Sequence, residues 1–190
     1  MAVFNENVRK NNNKDDLNGI FRFIKNPDGY SVVEGKNIKK FSSIEIPSKY
    51  KGKSVTSIEE CAFEGCSSLT SIIILNSVKS IGNCAFSDCS SLTSIIIPKS
   101  VTSLGSHAFY VCSSLAAITI PDSVTSIGEY AFFGCSSLIS LTIPNSVVSI
   151  GDAAFYKCSS LASITIPDSV TSIGRSAFSC CSSLAKIVNK

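Results

Sequence analysis

Apolar residues return along this chain with a period of 23, longer than the two-residue period of a strand or the 3.6-residue period of a helix. Phe63, Phe86, Phe109, Phe132, Phe155 and Phe178 form one column, and the alanine before each of them forms another. Cys66, Cys89, Cys112, Cys135, Cys158 and Cys181 follow three residues later, and Leu69, Leu92, Leu115, Leu138, Leu161 and Leu184 three residues after those. No insertion breaks the register from Val55 onward. A fixed period of this length marks a stack of copies of one supersecondary unit, each burying its apolar side against its neighbours.

One unit, LTSIIIPKSVTSLGSHAFYVCSS from Leu92, shows what each copy builds. Leu92-x-x-Ile95-x-Ile97 fits the L-x-x-L-x-L strand of leucine-rich repeats. The alternation predicts one short strand per coil, with Ile95 and Ile97 pointing inward and Ser94 and Ile96 outward. Pro98 lacks the N–H that a ladder needs and ends the strand. Val101 and Leu104 point inward, and Gly105 is expected to reverse the chain with a positive φ. Ala108, Phe109 and Cys112 fit one face of a short helix or 3₁₀ turn. The predicted fold is therefore an α/β-type repeat solenoid: a right-handed leucine-rich repeat stack with one parallel strand per coil.

The ends depart from the period. IFRFIKNPDGYSVVEG alternates apolar residues around Asn26-Pro27-Asp28-Gly29 and predicts a β-hairpin that caps the first coil. A degenerate coil follows, with Ile44 and Ile46 in strand positions and a five-residue insertion, Lys49 to Lys53, after Pro47. The expected organisation is a flexible polar segment over 1–18, a cap and degenerate coil over 19–53, and full repeats over 54–190. In the last coil Leu184 and Ile187 begin a strand, and Lys186 and Lys190 charge its edge.

Charge narrows the range of partners. Residues 1–53 hold eleven Lys and Arg against six Asp and Glu, while residues 54–190 hold six against eight. A near-neutral repeat face argues against nucleic acid, whose binding draws on neutralised phosphates. No apolar segment long enough for a signal peptide core or a membrane span is visible. No metal and no cofactor are expected. The column Cys61, Cys84, His107 strings its donors along a line, whereas zinc needs them to converge. His107 is the only imidazole, and Ser106 and Asp88 make a poor case for a triad around it. The cysteine column beside the phenylalanines reads as small core residues rather than as disulfides.

Two outward faces are candidates for binding. Ile73, Ile96, Thr119, Thr142 and Thr165 form a concave ladder, which either accepts an extended partner surface or only reflects the preference of β-branched residues for strands. On the convex side Tyr110, Phe133 and Tyr156 succeed one another in one column, and Tyr130 lies three residues before Phe133. Such rings either form an interaction patch or shield one another and the turn beneath.

The unit IPxSVTSIGxxAFxxCSSLxxIxI, read from Pro98, Pro121, Pro144 and Pro167, resembles the BspA-like group of leucine-rich repeats. The resemblance runs from about Phe21 to the end. It implies a non-enzymatic protein-binding module and, by likeness to surface adhesins of that group, adhesion to host matrix proteins. An intracellular interaction scaffold is the alternative.

Overall fold

The computed structural model describes residues 19–189, so the segment 1–18 lies outside it. Strands β1 (Phe21–Asn26) and β2 (Gly29–Glu34) form the cap hairpin, and β3 (Ser43–Glu45), β4 (Lys49–Tyr50) and β5 (Lys53–Ile58) the degenerate coil. The full coils then supply β6 (Ser71–Ile73) and β7 (Ser80–Ile81), β8 (Ser94–Ile96) and β9 (Ser103–Leu104), β10 (Ala117–Thr119) and β11 (Ser126–Ile127). β12 (Ser140–Thr142) and β13 (Ser149–Ile150), β14 (Ser163–Ile166) and β15 (Ser172–Ile173), and β16 (Lys186–Asn189) complete the β-solenoid. Each full coil thus carries two short strands, where the sequence pattern predicts one. The second arises because the V-T-S-I run alternates after its valine: Ser103 faces out while Leu104 is buried.

The second strands run as one parallel sheet from β5 to β15, with Ile58, Ile81, Leu104, Ile127, Ile150 and Ile173 aligned coil by coil. The cap joins this sheet through β2, parallel to β5. The first strands form two shorter sheets, β3 to β10 and β12 to β16, divided between Thr119 and Thr142.

The third side of each coil is not a helix. The expected i→i+3 bonds are present, such as Tyr110 N–H to His107 C=O at 3.1 Å and Cys112 N–H to Phe109 C=O at 3.3 Å. Between them the backbone turns left-handed twice per coil, at His107 (φ 58°) and Val111 (φ 54°), and at the equivalent positions of the neighbouring coils. Alternate N–H groups are thereby aimed along the stack. His107, Phe109 and Val111 donate to the carbonyls of Glu129, Ala131 and Phe133 at 2.7–2.9 Å, and the same triplet recurs at each step from Cys61 to Lys157. A left-handed non-glycine residue costs about 1–2 kcal/mol, which the three inter-coil bonds offset by keeping otherwise buried polar groups paired.

Gly105 corrects a second expectation. It does not adopt a positive φ; a Cβ there would lie 2.5 Å from the backbone of Gly82 and Asn83 in the preceding coil. Glycine is required because successive coils touch backbone to backbone at this corner, and Gly151 stands under the same constraint.

Inside, the Phe63, Phe86, Phe109, Phe132 and Phe155 rings are fully buried and stack at 5.1–5.4 Å, nearly parallel, down the axis. The cysteine column lies beside them, and the Cys112 thiol donates to the Phe86 carbonyl at 3.1 Å, as its equivalents do in other coils. Phe21 of the cap meets the Phe63 ring edge-on at 6.3 Å and covers that end of the column.

Phe132→Ala should lower the unfolding free energy by about 3–5 kcal/mol through the cavity it leaves, read by chemical denaturation. Gly105→Ala should also lower the denaturation midpoint, because the added methyl group meets backbone. A midpoint unchanged by Gly105→Ala would remove the close-approach account.

Candidate functional site

The concave ladder is displayed unevenly. Ile96 is 78% exposed, and Thr119 and Thr142 are exposed, while Ile73 and Thr165 are half-buried. The column also crosses the division between the two first-strand sheets, so Thr119 and Thr142 stand on strands that do not pair. Ile139, just before β12, is 58% exposed at this break. β10 and β12 remain neighbours across this step, so the ladder is one surface with a break in its strand pairing, and it mixes apolar and hydroxyl side chains.

The convex rings come together as one surface. Tyr110 stacks on Phe133 at 4.8 Å and Phe133 on Tyr156 at 5.1 Å, while Tyr130 tilts against Phe133 at 5.8 Å. Two residues join that sequence reasoning left out of the patch. His107 stacks on Tyr130 at 4.7 Å and tilts against Tyr110 at 5.4 Å. The Lys157 ammonium lies 5.9 Å from the Phe133 ring centre and 5.7 Å from that of Tyr156, within cation–π range. The signal for His107 was its place one period before Tyr130; for Lys157 it was its place next to Tyr156. All five rings are half-buried, each covering part of its neighbour and leaving the rest to solvent.

The backbone explains this arrangement. His107 and Tyr130 occupy the first left-handed position of their coils, and Tyr110, Phe133 and Tyr156 lie three residues beyond that position. The inter-coil ladder fixes these columns one strand spacing apart, and planar rings at that spacing stack. Extended contact area is thereby held in place before any partner arrives, which limits the entropy lost on binding.

The thiols of the column beside the phenylalanines, buried from Cys66 to Cys158, are placed for packing. Burial pushes Cys112 up to about 12 and holds Cys89 and Cys135 well above the ordinary thiol range, so they stay protonated and unreactive. Cys61 is pushed up to about 12, first by burial and then by the Glu64 carboxylate. His107 is held in the ring stack, and among the described residues no three His, Cys, Asp or Glu side chains form a group able to hold a metal ion. A groove along the second strands is lined by Ser106, Glu129, Asp152 and the glycine corners; His107 does not line it.

Comparison with known proteins agrees with this architecture. The family model for the BspA type leucine-rich repeat region matches in six copies, over residues 36–136 and 107–190. The crystal structure of a leucine-rich repeat protein of T. pallidum is similar, with 30% identity and a TM-score of 0.79, over 91% of this chain and 92% of that one. A leucine-rich cell surface protein of Faecalibacterium prausnitzii A2-165 is also similar, with 30% identity and a TM-score of 0.69. That match covers 90% of this chain and 53% of the other, so the chain spans about half of that protein. No curated protein matches the chain.

The thiol column gives stability a pH dependence with a definite sign. Unfolded thiols lose their protons near 9.0, whereas native Cys112 keeps its proton to about 12. Above pH 9 the native state therefore binds more protons than the unfolded one, and stability falls as pH rises. Below pH 9 the raised thiols Cys89, Cys112 and Cys135 contribute no slope, while Cys181, which the Cys158 thiol beside it lowers to about 7, adds stability as pH rises from 7 to 9. The expected loss above pH 9 is about 1.4 kcal/mol per pH unit for each raised thiol. Denaturant titrations from pH 7 to 10.5 measure it; a flat profile through pH 10 would refute the buried-thiol assignment.

Proposed function

The chain belongs to the BspA-type leucine-rich repeat family, a family of protein-interaction modules, and on that premise we propose that it is a non-enzymatic binder whose partner docks on the convex aromatic platform. The observation that carries this reading is the unbroken run of Tyr110, Phe133 and Tyr156, flanked by Tyr130 and His107 and locked by the inter-coil ladder. Interface energy concentrates in rigid aromatic anchors that lose little entropy on binding. The concave ladder Ile73, Ile96, Thr119, Thr142 and Thr165 is the lesser surface, because its strand pairing is broken between β10 and β12 and it offers no aromatic ring.

The partner we propose is a protein of the extracellular matrix, and the role is adhesion or host-protein contact. Support comes from the resemblance to surface adhesins and from the cell surface description of the F. prausnitzii relative. Among the described residues no helix is long and apolar enough to cross a membrane. A second reading, an intracellular interaction scaffold, is favoured by the nine free cysteines, which suit a reducing compartment.

Purified chain carrying Tyr110→Ser, Phe133→Ser and Tyr156→Ser should bind an immobilised panel of matrix proteins at least about tenfold more weakly than the parent, with its unfolding transition retained. Thr119→Lys with Thr142→Lys, on the concave side, should leave capture within about twofold. Unchanged capture by the aromatic variant, with loss by the concave one, would move the site to the ladder. Capture of soluble lysate proteins but of no matrix protein would favour the scaffold.

A further inference from the structure

The cap carries charge that the proposed function does not use. Residues 21–53 hold eight Lys and Arg against three Asp and Glu, while the repeats beyond are net acidic. This surplus is concentrated around the insertion. β4 and β5 form a tight hairpin in which Tyr50 pairs with Lys53, and Lys51 (φ 47°) and Gly52 (φ 76°) make the two-residue turn with positive φ that such hairpins demand. The hairpin reads Lys49-Tyr50-Lys51-Gly52-Lys53, and all three lysines are exposed.

Aromatic contacts tie this hairpin to the cap. Tyr50 stacks on Phe23 of β1 at 4.2 Å and meets Tyr30 of β2 edge-on at 5.0 Å, with the Lys51 ammonium 5.4 Å from the Tyr50 ring centre. Lys25 is the register partner of Tyr30 and so adds a fourth exposed ammonium beside the same cluster. Among the described residues no carboxylate forms an ion pair with any of the four; Asp28, in the neighbouring turn, is 3.6 Å from Lys79.

We propose that Lys25, Lys51 and Lys53, on the side of the packed rings of Phe23, Tyr30 and Tyr50, together with Lys49 on the other face of the narrow hairpin, form a binding site for a sulfated polysaccharide. Four unpaired ammonium groups on a narrow, stiffened support call for a polyanion. The Tyr50 ring is taken up by Phe23 stacked on it and by Lys51 over it, which leaves it poorly placed for the nucleobase stacking that single-stranded nucleic acid binding uses. The patch is about one hairpin wide, with strands about 4.8 Å apart, which suits a single thin chain better than phosphates set across a duplex groove about 12 Å wide. The hairpin tip is polar, with no apolar side chain to enter a bilayer. Lysine contributes a compact point charge, which attracts the sulfates of a flexible chain without demanding one fixed geometry. The acidic repeats repel a polyanion elsewhere and confine it to the cap.

The test is retention of the full chain on immobilised heparin, with the same polysaccharide after desulfation, a DNA duplex and phosphatidylserine vesicles as further arms. Expected are saturable heparin binding that weakens more than about tenfold between 50 and 200 mM salt, little binding to the desulfated chain, and weaker binding to duplex and vesicles. Lys49→Gln, Lys51→Asn and Lys53→Gln together should reduce heparin affinity at least tenfold, with Asn chosen because it tolerates the left-handed backbone. Lys36→Gln with Lys40→Gln, charges on the cap but outside the cluster, should change it less than threefold. The idea is overturned if the triple variant binds like the parent, if both variants lose affinity in proportion to charge, or if duplex or vesicles bind more tightly than heparin. Matrix capture by the aromatic platform is a separate readout and should survive the lysine changes.

Discussion

Everything in this molecule depends on backbone hydrogen bonding between consecutive coils at three corners. Two of the corners use parallel strands of two to four residues, too short to be stable alone. The third uses left-handed residues to aim alternate N–H groups at the next coil, and it repeats without a gap from Cys61 to Lys157. Where the first-strand sheet is divided between Thr119 and Thr142, the other two ladders continue across the step. The stack holds because its sides are redundant.

The core follows from that constraint. Once each coil is fixed one strand spacing from the next, a side chain's principal neighbour is its own copy above and below. Phe stacked on Phe and Cys beside Phe satisfy every coil with one solution, so the chain repeats it. The thiol serves twice: it fills a small space, and its S–H donates to the preceding coil's Phe carbonyl. Burial with that bond keeps Cys89, Cys112 and Cys135 neutral and inert, so these column cysteines bring packing rather than redox chemistry to the fold.

The period alone made the solenoid legible, because the Phe, Ala, Cys and Leu columns need no structural knowledge to align. The cap hairpin was legible too, through its Asn-Pro-Asp-Gly turn. What stayed hidden were features whose signal lies in contact between coils. Gly105 looks like a residue chosen for positive φ, yet it is fixed by a backbone one coil away. The first left-handed position of each coil carries Cys, His, Tyr, Ala or Ser, which give no such signal singly, and the second carries glycine in only two coils, Gly65 and Gly134. The second strand is only two residues long, too short for its alternation to be read as a strand. Of the convex patch, the tyrosines and Phe133 were visible as a column, but His107 belonged to a column read for metal ligands, and only the stack shows its ring against Tyr130.

That hidden left-handed column also explains why the aromatic surface stands where it does. A residue with positive φ directs its side chain away from the path that a helix would bury, so the column from Cys61 to Ser176 lies toward the surface, half-buried or exposed at every position except Ala153. The backbone bonds that hold the coil use N–H and C=O groups only, which every one of these residues supplies. Substitution there changes the surface without touching the ladder or the phenylalanine core. The column three residues further on, Glu64, Ser87, Tyr110, Phe133, Tyr156 and Ser179, varies in the same way. A solenoid built like this separates the columns that fold it from the columns that read a partner. The aromatic platform is the stretch of this chain where two such free columns turn aromatic over the same consecutive coils.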